Sequence, residues 1–127
     1  MSKKILIVDD EPHIRALLEQ TLEEFEDSGV ELLSAVNGQE ALEIIEEEHP
    51  DLVFLDVMMP KMNGFDVCHA VKHTLNLADV YIVMLTAKGQ EFDKKKGLEV
   101  GADTYMTKPF DPDEIIAKAQ EVLGIEA

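Results

Sequence analysis

Five short apolar runs recur along the chain at intervals of roughly 25 residues, the spacing of alternating strand and helix units. They are Ile5–Val8, Leu32–Val36, Leu52–Leu55, Val80–Leu85 and, more weakly, Thr104–Thr107. The first, third and fourth are continuously apolar, as strands of a parallel sheet are when helices cover both faces. The segments between them carry the helical period. Ile14, Leu18, Leu22 and Phe25 form one stripe on a first helix; Ala41, Leu42, Ile44 and Ile45 mark a second; Phe65, Val67, Cys68 and Val71 mark a third.

The helix ends are signalled chemically. Asn37 is placed to cap the second helix, and Gly101 follows the fourth where a left-handed residue ends it. Asp111-Pro112-Asp113-Glu114 reads as a capping Asp, a proline at the first helical position and an acid three residues after the cap. That fifth helix carries Ile115, Ile116, Ala119 and Leu123. Strands alternating with helices predict an α/β domain with right-handed crossovers. Five of each suit a flavodoxin-like, doubly wound five-stranded parallel sheet in the order 2-1-3-4-5, with the site at the carboxyl ends of the strands near the switch between strands 1 and 3.

Composition narrows the class. A length of 127 residues fits one domain, residues 1–127, and 46% hydrophobic with 30% charged residues fits a soluble globular one. Lys and Arg number 11 against 27 Asp and Glu, a net charge of −16 that repels a phosphate backbone and an anionic membrane alike. Neither nucleic acid nor membrane is an expected partner. The acidic runs Glu23–Asp27 and Glu46–Glu48 read as solvated helix faces. Cys68 has no partner for an internal disulfide and sits in an apolar stretch, so it reads as a buried small hydrophobe. No run is long enough to cross a membrane, and Ile5–Val8 is too short for a signal peptide. The expected location is the cytoplasm.

The candidate chemistry lies at the strand ends. Strand 1 ends in Asp9-Asp10, strand 3 in Asp56, strand 4 in Thr86-Ala87 and strand 5 in Lys108-Pro109. The topology brings these ends to one rim. Three carboxylates at close range need a counter-charge, which an oxygen-seeking dication such as Mg²⁺ supplies while keeping waters for a phosphate to replace. Lys108 offers a point charge and Thr86 a hydroxyl donor; the set can stabilise a phosphoryl group in transfer. Singly, each residue has an ordinary explanation: Asp10 as a helix cap, Asp56 as a turn residue, Thr86 as a strand end, Lys108 as a surface lysine. Their joint placement at four strand ends is what argues for chemistry.

Four strings carry a resemblance: Ile7-Val8-Asp9-Asp10-Glu11, Leu55 through Gly64, Leu85-Thr86-Ala87, and Gly101 through Phe110. They closely resemble bacterial response-regulator receivers of two-component systems, over nearly the whole chain from Lys4 to about Leu123. The resemblance implies a phosphorylation switch rather than an enzyme acting on a separate substrate. Carried over by position, Asp56 is the phospho-acceptor. Asp10 and Asp56 bind Mg²⁺ directly with the backbone carbonyl of Met58, and Asp9 acts largely through water. Lys108, before a cis Lys108–Pro109 bond, contacts the phosphoryl group, and Thr86 with Tyr105 forms the switch pair. The switch pair relays the change to the surface of helix 4, strand 5 and helix 5. The implied partners are a sensor histidine kinase or phosphotransfer protein and an unidentified downstream protein.

Further expectations follow. His13, Ile14 and Leu17 on the first helix are candidates for kinase docking. Many receivers resembling this one pair through helix 4, strand 5 and helix 5 by opposed charges; here Lys94, Lys95 and Lys96 lie on the fourth helix and only Lys118 is basic on the fifth, so a monomer is expected before phosphorylation and at most weak pairing after it. The resemblance also implies that Met58 and Lys88, two residues after the acceptor and two after the switch threonine, flank the line of approach for a hydrolytic water. His69 and His73, four apart, lack a third ligand for zinc, and Gly97 with Gly101 forms no phosphate loop. A flavodoxin-type binder would not place Asp9-Asp10-Glu11 where a phosphate must sit, and a haloacid-type phosphatase would have an acid where this chain has Met58. The ending at Ala127 is read as that of a stand-alone receiver; a receiver cut from a longer regulator, or a phosphorelay intermediate or phosphate sink, is the alternative.

Overall fold

The computed structural model describes residues 3–59, 61–87, 95–96 and 98–125. Strands β1 (Lys4–Val8), β2 (Glu31–Ala35), β3 (Leu52–Asp56), β4 (Tyr81–Ala87) and β5 (Thr104–Lys108) form one parallel sheet in the order 2-1-3-4-5. Helix α1 (Pro12–Thr21) continues as a short helical piece, Glu23–Glu26. Helices α2 (Gly38–Glu48), α3 (Gly64–His69, prolonged by a wider turn over Ala70–Thr74) and α5 (Pro112–Leu123) follow, and residues 95–96 and 98–99 belong to α4. The fold is the expected flavodoxin-like one. Lys94, read into the fourth helix, and Gly97, weighed for a phosphate loop, lie outside the described residues.

The continuous apolar strands divide their side chains between two cores. Leu6, Val8, Val53, Leu55, Ile82 and Met84 pack with α2 and α3, whereas Ile5, Ile7, Leu52, Phe54, Val83 and Leu85 pack with α1 and α5. All twelve are buried, and each contributes about 1.5–3 kcal/mol relative to exposure. β5 is an edge strand, so in it only Met106 is buried; that explains its weaker apolar signal.

Three local features depart from the sequence reading. The first helix is not continuous to Phe25: Thr21 Oγ1 donates to the Leu17 carbonyl at 2.7 Å, a back-bond that bends helices, and Leu22 leaves the helical region. Leu18, Leu22 and Phe25 nevertheless reach the core. Val36 lies beyond β2, because the pairing with β1 ends at Val8 and Ala35 and the chain turns at once into the Asn37 cap. Asp10 is no helix cap; Glu11 holds that position. The other signals hold: Asn37 Oδ1 accepts from the Glu40 N–H at 2.8 Å, Asp111 from Asp113, and Gly101 has φ +106°.

A lysine clip ties the end of the sheet opposite the site. Lys72 Nζ donates to the Val80 carbonyl at 2.6 Å, to the Ala78 carbonyl at 3.2 Å and to Asp103 Oδ2 at 2.8 Å. The same Asp103 oxygen accepts from the Ile82 N–H at 2.8 Å, joining the starts of β4 and β5 to the end of α3. Removing the ammonium strands a carboxylate and two carbonyls. Lys72→Met is expected to cost about 3 kcal/mol of unfolding free energy, read from the urea midpoint. A change within about 0.5 kcal/mol would show that the clip holds nothing.

Candidate functional site

β1 and β3 are neighbours in the sheet, and their carboxyl ends deliver Asp9, Asp10 and Asp56 to one place. Each offers a carboxylate oxygen within 4.8 Å of the others, the only group of three or more such ligands among the described residues. Asp9 is 0% and Asp56 6% exposed, while Asp10 faces solvent. From the far side of the sheet order, the last residue of β5 reaches in. Lys108 Nζ donates to Asp9 Oδ2 at 2.7 Å and to Asp56 Oδ1 at 3.0 Å.

One ammonium shared by two buried carboxylates sets the electrostatics. Burial pushes the Asp56 carboxyl up to about 6; the Lys108 hydrogen bond opposes this, and the nearby Asp9 and Asp10 charges add to it. Burial alone would depress the Lys108 ammonium, but its bonds to Asp9 and Asp56 hold it above its ordinary range. The residual negative charge and the hard oxygen donors, open to solvent at Asp10, suit a divalent cation of the Mg²⁺ type. The fit is to this donor set; Met58, named for its backbone carbonyl, follows Asp56 by two residues, with its side chain 74% exposed.

The backbone around the trio is closely built. Asp9 Oδ1 accepts from the Glu11 N–H at 3.0 Å, and Arg15 Nη1 donates to the Asp9 carbonyl at 2.8 Å. Gly64 opens α3 directly against the end of β3: a Cβ there would come within 2.5 Å of the Asp56 carbonyl oxygen. Asn63 caps the helix by accepting from the Asp66 N–H at 3.0 Å, fixing the return of the loop after Asp56. Arg15 escaped the sequence reading because an arginine inside a helix gives no signal of a backbone acceptor six residues earlier.

Thr86 is fully buried, and its hydroxyl donates to the Met106 carbonyl of β5 at 3.5 Å, a long and weak bond. Tyr105 stands one residue before Met106 and is 39% exposed. Leu17 is 42% exposed on α1, beside exposed His13 and half-buried Ile14. Lys88 lies outside the described residues. His69 and His73 have ring centroids 4.8 Å apart, with no third ligand among the described residues. Cys68 is buried, and burial pushes its thiol up to about 12, as for an inert core residue.

The profile of the response regulator receiver domain matches residues 5–120. The chain belongs to the response regulator receiver family. It is 50% identical over 123 residues to the alkaline phosphatase synthesis transcriptional regulatory protein PhoP of Bacillus subtilis, covering 97% of this chain and 49% of that protein. The receiver thus spans about half the length of the curated relatives it matches. Among solved structures it resembles the chemotaxis response regulator CheY4 of Vibrio cholerae (TM-score 0.83, 34% identity, 96% of this chain and 99% of that one). It also resembles the Ssk1 receiver crystallised with the Saccharomyces cerevisiae histidine phosphotransfer protein Ypd1 (TM-score 0.85, 28% identity, 95% and 88%). This is therefore the receiver domain of a two-component response regulator. No helix among its described residues is long and apolar enough to cross a membrane.

The electrostatics of the metal-free receiver carry a pH signature. The Asp56 carboxyl titrates near its ordinary 3.8 when unfolded and at about 6 when folded, so between those values the folded state binds the extra proton. Stability present below the lower value is then lost as pH rises through the upper one, by up to roughly 3 kcal/mol. In EDTA, Asp56→Asn is expected to flatten urea stability across this window. An unchanged slope would show that Asp56 is not held protonated by its burial.

Proposed function

We propose that this receiver accepts a phosphoryl group on Asp56, with a dication held by Asp9, Asp10 and Asp56. The observation that carries the reading is the Lys108 ammonium bridging Asp9 and Asp56 beside an open third carboxylate. When bound, Mg²⁺ would neutralise the acidic rim and offset charge on the phosphoryl oxygens. By resemblance, the Met58 carbonyl would complete the protein's share of its ligands.

An Asp56 carboxylate oxygen attacks phosphorus in line. The new O–P bond forms as the bond to the donor's imidazole nitrogen breaks, and that nitrogen takes a proton from solvent. The donor is a phosphohistidine of a sensor kinase or phosphotransfer protein, as the Ypd1 complex of the similar Ssk1 receiver suggests. The face of α1 bearing His13, Ile14 and Leu17 is available to it. Lys108, already 3.0 Å from Asp56, exchanges a carboxylate partner for a phosphoryl oxygen. Thr86, weakly held by the Met106 carbonyl, turns to the new oxygens, and the Tyr105 ring moves toward the space it leaves. The change is thereby passed to the surface of α4, β5 and α5 and to a downstream protein. The same chemistry serves a lone receiver or one within a longer regulator such as the PhoP it resembles. The unphosphorylated form is read as a monomer in the cytoplasm.

Two outcomes test this. Asp56→Asn should abolish uptake of phosphate from acetyl phosphate, as should EDTA on the wild type; undiminished labelling of the variant would sink the assignment. Met58 stands exposed two residues after the acceptor and is apolar, so it can exclude a hydrolytic water but cannot orient one. Met58→Asn is expected to speed loss of the phosphoryl group after donor removal with Mg²⁺ present. Equal or slower decay would mean that Met58 is not the gate.

A further inference from the structure

We infer that Arg15 is a positioning residue that fixes the Asp9–Asp10 peptide so that both carboxylates present oxygens to a divalent cation. The inference rests on reading the acidic trio as a dication site. Arg15 is half-buried in the first turns of α1, and its Nη1 donates to the Asp9 carbonyl at 2.8 Å. The other polar atoms of Asp9 are all taken: its N–H donates to the Ala35 carbonyl at 3.3 Å, Oδ1 accepts from the Glu11 N–H and Oδ2 from Lys108. The Asp10 carboxylate differs. Among the described residues no hydrogen bond or ion pair holds it, so its direction depends on the peptide that carries it. That peptide contains the carbonyl that Arg15 holds.

Charge and geometry act in opposite directions here. The guanidinium is always positive, and near the trio its charge alone opposes a cation. Arg15 therefore helps the site only if orientation outweighs repulsion, and the sign of its effect on affinity reveals which dominates. Groups that orient metal ligands from behind are typically worth 10–100-fold in affinity; a single bond to a backbone carbonyl belongs at the lower end.

The test is calorimetric titration with MgCl₂ of the wild type, Arg15→Ala, Arg15→Lys and Asp10→Asn, with urea unfolding of each. Arg15→Ala is expected to weaken Mg²⁺ binding about tenfold with the unfolding midpoint little changed. Arg15→Lys, which keeps the charge but loses the planar fork, should fall between it and the wild type. Should the alanine variant not fold, the weakened binding of the lysine variant decides. Unchanged or tighter binding in Arg15→Ala, with Asp10→Asn still impaired, would overturn the positioning role and leave the dication site standing. Absence of Mg²⁺ binding by the wild type, or full binding by Asp10→Asn, would overturn the dication reading and this inference with it.

Discussion

A single ammonium, Lys108 Nζ, sits between two buried carboxylates, Asp9 at 2.7 Å and Asp56 at 3.0 Å, with a third carboxylate open to solvent alongside. Such a group is costly to assemble. Burial of the carboxylates is the larger cost and the surplus of three negative charges over one positive adds to it, and the raised Asp56 carboxyl expresses both. The site does not hold the fold together; the two cores do, and their burial offsets the repulsion at the rim. The surplus charge also makes the rim a place that suits a divalent cation.

The sheet order produces that arrangement. Placing β3 next to β1 sets Asp56 beside Asp9 and Asp10, and placing β5 at the edge lets a long side chain from its last residue cross toward them. Gly64 returns the chain over the end of β3 at a distance that excludes even a methyl group. At the other end of the sheet the Lys72–Asp103 clip fixes the starts of β4 and β5. Thr86 lies near the rim end of β4 and Tyr105 near the start of β5, on the two strands whose starts the clip joins.

The sheet was legible in the sequence because a strand covered on both faces must be apolar at consecutive positions, as Ile5–Val8 and Leu52–Leu55 are. The helix caps were legible because Asn37 and Asp111 act through bonds two or three residues long. The grouping of Asp9, Asp10, Asp56 and Lys108 followed from topology once the strands were placed. What stayed hidden acts at long range or through the backbone. Nothing in the string shows that Thr21 bends its own helix, that Arg15 holds the Asp9 carbonyl, or that Lys72 reaches Asp103 across 31 positions. Val36 misled because a β-branched residue at a strand end looks like one more strand residue; its register partner had run out.

On the proposed reading, the phosphoryl group would reside on the Asp56 carboxylate as an acyl phosphate. Borohydride reduces an aspartyl phosphate to homoserine and leaves ordinary carboxylates intact. After incubation with acetyl phosphate and Mg²⁺, peptide mass spectrometry of the reduced protein should find homoserine at position 56 and nowhere else. Homoserine at position 9 or 10, or phosphate retained on a histidine or hydroxyl side chain with Asp56 intact, would contradict the account.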